Sequence, residues 1–264
     1  MRKAQVTVFV IVGIVILIAV AIALFYISKT AVLPSIKPSD NTEEYTFKTY
    51  LQTCLETNTK SSILEIASLG GYYESPNDSQ VIYMYDLNPL SSQNLIMRAY
   101  PMYLFDNKTI LPTFSEIQKN TEDMVLDNFL SCANQYNNSV QNSSISFDNA
   151  NLSLVMTENN TLVKVTYKYH TSNDYLKDNQ IAYNIPVSIS KAYNISIKFI
   201  KNQSKDPSYF DIGLLSSLAY WNNFTFDTRI IENSTYLFTL KFPYYNTTLG
   251  KSLEYMFVIK YDYW

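Results

Sequence analysis

Residues 45–71 read YTFKTYLQTCLETNTKSSILEIASLGG, and the reading of the fold turns on them. Phe47, Tyr50, Leu51, Cys54 and Leu55 recur at the three- and four-residue spacing of one helical face, and Gly70-Gly71 supplies the C-cap that ends such a helix. The spacing turns Cys54 inward. A second helix is announced by Pro112 and the capping box from Thr113 to Glu116, followed by Val125, Phe129, Cys132 and Ala133 on one face. Cys132 turns inward as well. Packing the two faces together brings the thiols within the short Cα separation that a disulfide demands. An even pair of cysteines in an extracellular chain suggests that bond. The alternative is two buried free thiols acting as small apolar groups. Over a sequence separation of 78, the chain-entropy account of a Cys54–Cys132 link assigns it about 4 to 5 kcal/mol.

Between the two helices, VIYMYDL and LIMRAYPMYLF are rich in β-branched and aromatic residues and read as strands, with Asn107 marking the turn out. From about Ser144 the pattern changes to short alternating runs: SISF, LSLVM, TLVKVTYKYH, IPVSIS, NISIKFI, FTFDTRII, YLFTLKF and EYMFVIKYDYW. All are expected as strands. DIGLLSSLAYW breaks the series with helical spacing and is expected to pack across the sheet. The fold class is therefore α+β, with helices early and mainly antiparallel strands late.

Upstream, residues 6–27 (VTVFVIVGIVILIAVAIALFYI) carry no charged side chain and at about 1.5 Å per residue reach roughly the thickness of a bilayer's hydrocarbon core. A single transmembrane helix is expected, contacting membrane lipid through those residues. Arg2 and Lys3 precede it while only Lys29 follows closely, which places the N-terminus in the cytoplasm and the remainder outside the cell. The expected organisation is a transmembrane segment over 1–29, a Pro-containing linker over 30–45, a mixed helix and strand unit over 46–137 and a mainly β unit over 138–264.

Asn-x-Ser/Thr begins at Asn77, Asn107, Asn137, Asn142, Asn151, Asn159, Asn194, Asn202, Asn223, Asn233 and Asn246. Random placement of the chain's Asn, Ser and Thr would give roughly 4 to 5 such sites, so eleven is an excess. All follow the hydrophobic segment, on the side the flanking charges place outside. Several are expected in loops, where a glycan is accommodated without unpacking the fold.

Chemistry is sparse. His170 is the only histidine, and it stands in a strand with no cysteine or paired acid beside it. There is no zinc spacing, phosphate loop, EF-hand or nucleophile elbow, so no catalytic residue, metal ligand or cofactor site is assigned. Glu122-Asp123 reads as solvated helix surface. A net charge of −3 without blocks of like charge leaves no footprint for nucleic acid. Tyrosine is abundant, with 23 copies, and reads as strand packing ahead of a binding surface.

The start Arg2-Lys3-Ala4-Gln5-Val6-Thr7, running directly into the apolar segment, resembles the class III signal peptides of archaeal type IV pilin-like proteins. That resemblance implies a prepilin peptidase as partner, cutting behind Ala4 to free Gln5. Many pilins carry a Glu where this chain has Phe9. The QVT start, the Cys helix ending in Gly70-Gly71-Tyr72-Tyr73 and the Pro-capped second Cys helix are together similar to a group of archaeal surface proteins. This implies location and architecture only. Three functions follow as expectations. The first is an anchored, N-glycosylated surface protein with a structural or adhesive role, meeting itself or other surface proteins. The second is a pilin-like filament subunit released by cleavage behind Ala4. The third is an extracellular hydrolase, whose acids or nucleophile only folding could assemble.

Overall fold

Two glycines decide where the first helix stops. The structure, a computed structural model, describes residues 42–74, 76, 80–88, 91–139, 147–171, 174–232, 234–243 and 252–262. The hydrophobic segment 6–27 and the signal residues Lys3, Ala4 and Gln5 lie outside them. Among the described residues no helix is long and apolar enough to cross a membrane. The chain divides into Met1–Thr46, of which only the first turn of a helix is described, and Phe47–Trp264.

Helix α1 spans Thr42–Ser68, beginning three residues ahead of Tyr45, inside the stretch expected as linker. Gly70 (φ 59°) and Gly71 (φ 85°) are left-handed, and Gly71 N donates to Ile66 O at 2.8 Å. The expected C-cap is there, and it does more than end the helix. A Cβ on Gly70 would lie 2.6 Å from Pro101 Cγ and 2.7 Å from Met256 O, so the chain presses on the sheet where only a glycine fits.

Strands β1 (Val81–Asn88) and β2 (Ser91–Phe105) form a hairpin, and β3 (Lys108–Thr109) adds to β2 beyond a turn with Asp106 and Asn107 both left-handed. Helix α2 (Phe114–Ser139) opens on the expected capping box: Thr113 N donates to Glu116 Oε2 at 2.6 Å and Glu116 N to Thr113 Oγ1 at 3.3 Å. The Thr113 N–H and the Thr113 hydroxyl, which donates to the same Oε2 at 2.9 Å, together lower the Glu116 carboxyl pKa. α1 and α2 run antiparallel, since contacts step up one helix and down the other: Tyr50 to Cys132, Asn58 to Asn128, Gly71 to Asn120.

A three-stranded antiparallel sheet follows, β4 (Phe147–Met156), β5 (Thr161–Thr171) and β6 (Asp174–Ile185). Leu152, Leu154 and Met156 point inward from β4 while Asn151, Ser153 and Val155 face water, the alternation of a half-buried strand. Next come helices α3 (Ser190–Gln203) and α4 (Ile212–Asn222), then β7 (Thr225–Glu232), β8 (Thr235–Phe242) and β9 (Leu253–Lys260).

The larger sheet has the order β1-β2-β9-β8-β7, antiparallel except where β2 meets β9 in parallel. It thus joins strands from the 46–137 stretch to strands from the 138–264 stretch, and the core spans both. Tyr103, Phe257 and Phe238 stack across β2, β9 and β8 with centroids 4.9 and 5.4 Å apart, and Phe199 of α3 lies 5.5 Å from Phe238. Phe147 at the start of β4 meets Phe47, Phe129 and Tyr167, so α1, α2 and β5 share one aromatic centre. The sheet's other face holds a smaller cluster of Tyr100, Met102, Leu237 and Val258. Its two edge strands approach across that face, with Arg229 Nη2 of β7 at 3.5 Å from Met84 Sδ of β1, so the sheet is strongly curled.

The α+β class therefore holds, with four helices among the described residues and mostly antiparallel sheets. Two readings are corrected. NISIKFI is not a strand but the middle of α3, and IPVSIS lies between the end of β6 and the first turn of that helix. The residues buried along α3 include Ala192, Tyr193, Ser196, Phe199, Ile200 and Gln203, a three- and four-residue repeat that the Ile195-Ile197-Phe199 alternation hides. β6 was not anticipated at all, because DYLKDNQIAYNI is too polar for a core strand.

Gly70→Ala is expected to lower the unfolding free energy. The left-handed backbone alone costs an L-residue roughly 1–2 kcal/mol, and the overlaps with Pro101 and Met256 add to it. Chemical denaturation of the two proteins measures the difference, and an unchanged midpoint would show that the contact can relax.

Candidate functional site

Cys54 and Cys132 are joined, with Cα atoms 5.9 Å apart. Cys54 is 3% exposed and Cys132 half-buried. Both lie on faces that the helical spacing turned inward, which is the pairing expected from the sequence. Tyr50, one turn before Cys54, donates its hydroxyl to Cys132 O at 2.9 Å, and its ring lies 5.1 Å from that of Tyr136, one turn after Cys132. The crosslink is thus seated in a tilted aromatic group that also includes Phe47. It closes a loop of 78 residues, for which the chain-entropy account gives about 4 to 5 kcal/mol as an upper figure.

Tyrosines form a second arrangement. Tyr103 OH donates to Gly70 O at 2.7 Å, so its 2.5 Å contact with Tyr255 OH has Tyr255 as donor. Tyr193 OH donates to Pro112 O at 2.6 Å, fastening α3 to the approach of α2. Burial pushes the Tyr103 and Tyr255 phenols well above their ordinary pKa, and burial with the nearby Glu116 charge pushes Tyr72 up to about 12. The hydroxyls of Tyr103, Tyr193 and Tyr255 are spent on the fold.

Among the described residues no group of three or more His, Cys, Asp or Glu is placed to hold a metal ion. His170 lies near the end of β5. Asp123 pairs with Lys119 on the surface of α2, as its solvated reading requires. Glu122 does something the sequence did not suggest. Its Oε1 accepts from Leu154 N at 3.0 Å, so a helix side chain covers a backbone donor of β4. Unpaired edge donors invite another strand, and this contact blunts one.

The sequons are spread over the described surface. Asn107 stands in the β2–β3 turn, Asn159 in the β4–β5 turn and Asn223 at the C-terminus of α4, all exposed. Asn151 is on the outward face of β4 and Asn194 on the outward face of α3, so regular elements as well as loops present acceptors. Asn137 lies in the last turns of α2. Asn202 differs: it is half-buried, and its Nδ2 donates to Asp211 Oδ2 at 3.3 Å, while Asp211 Oδ1 caps α4 through Leu214 N. Asn77, Asn142, Asn233 and Asn246 lie outside the described residues.

Several exposed aromatic and apolar residues escaped the pattern reading. Tyr83, Tyr85 and Met97 share the outer face of the β1–β2 hairpin, and Tyr220 and Trp221 stand out from the end of α4. Their strands and helix were legible, but which side would be covered was not.

Two outcomes follow. Cys54→Ser combined with Cys132→Ser is expected to lower the unfolding free energy by up to ~4 to 5 kcal/mol, read as a lower thermal midpoint, and reductant should reproduce the shift in the native protein but not in the variant. The buried phenols make the fold sensitive to alkali. The unfolded chain loses tyrosine protons above about pH 10 while Tyr103 and Tyr255 keep theirs in the folded state. The stability they contribute is therefore intact below that pH and declines as pH rises through the folded values. Tyrosinate absorbance should show Tyr103 and Tyr255 ionising only together with loss of circular dichroism. Comparison with known proteins finds no matching family model, no matching curated protein and no matching solved structure.

Proposed function

We propose that this chain is a membrane-anchored, N-glycosylated surface protein with a structural or adhesive, non-catalytic role, its C-terminal domain outside the cell. The observation that carries the reading is the Cys54–Cys132 bond between α1 and α2, since structural disulfides persist in oxidising compartments. It agrees with the uncharged segment 6–27, the Arg2-Lys3 flank and the eleven sequons that all lie beyond it. The exposed acceptors Asn107, Asn151, Asn159, Asn194 and Asn223 support it further, being where a glycan leaves the core untouched.

A second reading, a pilin-like filament subunit, is favoured by the Arg2-Lys3-Ala4-Gln5 start. Cleavage behind Ala4 would leave the apolar helix able to pack against its copies. Both readings share the ectodomain and differ in the N-terminus.

Intact mass and N-terminal sequencing of the native protein separate them. A Met1 start with added glycan mass is expected for the anchored protein, and a Gln5 start transfers the case to the filament subunit. A mass equal to the bare polypeptide would sink the surface-glycoprotein reading. Glycopeptide mapping should also find Asn202 empty where the exposed acceptors carry sugar, because its amide is held between α3 and α4.

A further inference from the structure

Helix α4 carries no charged residue from Ile212 to Asn222, and of it only Leu215 and Leu218 are buried. Its last turn leaves Tyr220 and Trp221 79% and 78% exposed, with ring centroids 5.3 Å apart and edge to face. Adjacent exposed rings form one apolar surface, unlike scattered single residues, and such a surface gains from being covered. Two residues beyond Trp221, Asn223 opens the sequon Asn223-Phe224-Thr225. The sequon is held firmly. Asn223 is left-handed (φ 53°, ψ 56°), Phe224 N donates to Ala219 O at 3.2 Å, and the buried Phe224 ring stacks on Phe242 at 5.0 Å. Asn223 and Thr225 on either side of that anchor both face water.

Cα atoms two residues apart are at most about 7.6 Å apart, within the reach of an asparagine side chain extended by one sugar ring. A pyranose presents a face of C–H bonds with slight positive charge, and the face of an aromatic ring is negative. The exposed rings and the acceptor are therefore complementary in chemistry and adjacent along the chain. The sequon in the β2–β3 turn makes the contrast. Phe105 also stands two residues before its acceptor, Asn107, but Lys260 Nζ already lies over that ring at 5.0 Å.

We propose that Tyr220 and Trp221 are the seat of the first sugar of an N-linked glycan on Asn223, so that the glycan covers the aromatic surface the protein chain leaves in water. This rests on the surface-glycoprotein reading and deepens it. The attachment joins Asn223 Nδ2 to the anomeric carbon of a polyprenyl-phosphate-linked oligosaccharide. The carbon–oxygen bond to phosphate breaks, the phosphate departs with the electron pair, and the amide proton is released. Once attached, the sugar shields Trp221 and holds the α4–β7 junction.

The test is hydroxyl-radical footprinting of the full chain from its native cells, read by mass spectrometry, with glycopeptide mapping of the same sample. Thr225→Ala removes the acceptor signal while leaving the Asn223 cap in place, and Asn223→Asp is a second variant that keeps a residue tolerant of the left-handed conformation. Circular dichroism verifies folding of both. The expected result is a glycan on Asn223 and a several-fold rise in Trp221 oxidation in either variant, with Tyr85 oxidation unchanged. An occupied Asn223 with equal Trp221 oxidation in wild type and variants overturns the seat. Equal protection in all three overturns it too, and assigns the cover to another surface such as a second copy. A bare Asn223 beside other occupied sequons overturns the proposal and leaves the glycoprotein reading standing, whereas no glycan on any sequon ends both.

Discussion

One phenol hydroxyl sits where parts of the chain far apart in sequence meet. Tyr103 in β2 donates to Gly70 O at the end of α1 and accepts from Tyr255 in β9, a residue 152 positions away. All of this is buried, and a buried donor or acceptor left without a partner costs about 1–3 kcal/mol. The three elements are therefore held to one mutual placement, which apolar packing alone would leave looser. Gly70 has to be a glycine for the approach to be close enough, and the parallel pairing of β2 with β9 has to form for Tyr255 to arrive.

The Cys54–Cys132 bond extends that placement to α2. α1 is fastened to the sheet at its C-terminal end by Gly70 and to α2 nearer its N-terminal end by the disulfide. The helix is thus pinned at two points about four turns apart, with the Phe47, Tyr136 and Phe147 rings packed at the crosslinked end. α2 in turn reaches β4 through Glu122 and approaches α3 through Pro112. Helix pair and both sheets are joined by specific polar contacts laid over a continuous apolar core.

The surface is less regular. The described acceptors sit on turns, a strand face and helix faces, and the large exposed aromatics gather at the β1–β2 hairpin and the end of α4. Asn202 shows why a sequon is not by itself a surface site, since its amide bridges two helices. Asn223 is exposed, beside a neighbour, Phe224, whose ring is fixed inward.

Local chemistry was legible directly. The Gly70-Gly71 cap, the Thr113–Glu116 box, the inward faces of Cys54 and Cys132, the turn at Asn107 and the strands on either side of it all follow from contacts within a few residues, and the sequence by itself determined them. The decisions that needed tertiary structure were those where one pattern served two periods or none. NISIKFI alternates like a strand and also carries a helical face, and the packing of Phe199 on Phe238 selects the helix. β6 is too polar to signal a strand, and its ladder with β5 makes it one. The parallel meeting of β2 and β9, the covering of a β4 edge donor by Glu122 and the exposure of Trp221 depend on partners far away in sequence, because burial belongs to surfaces in space and no short window of residues contains it.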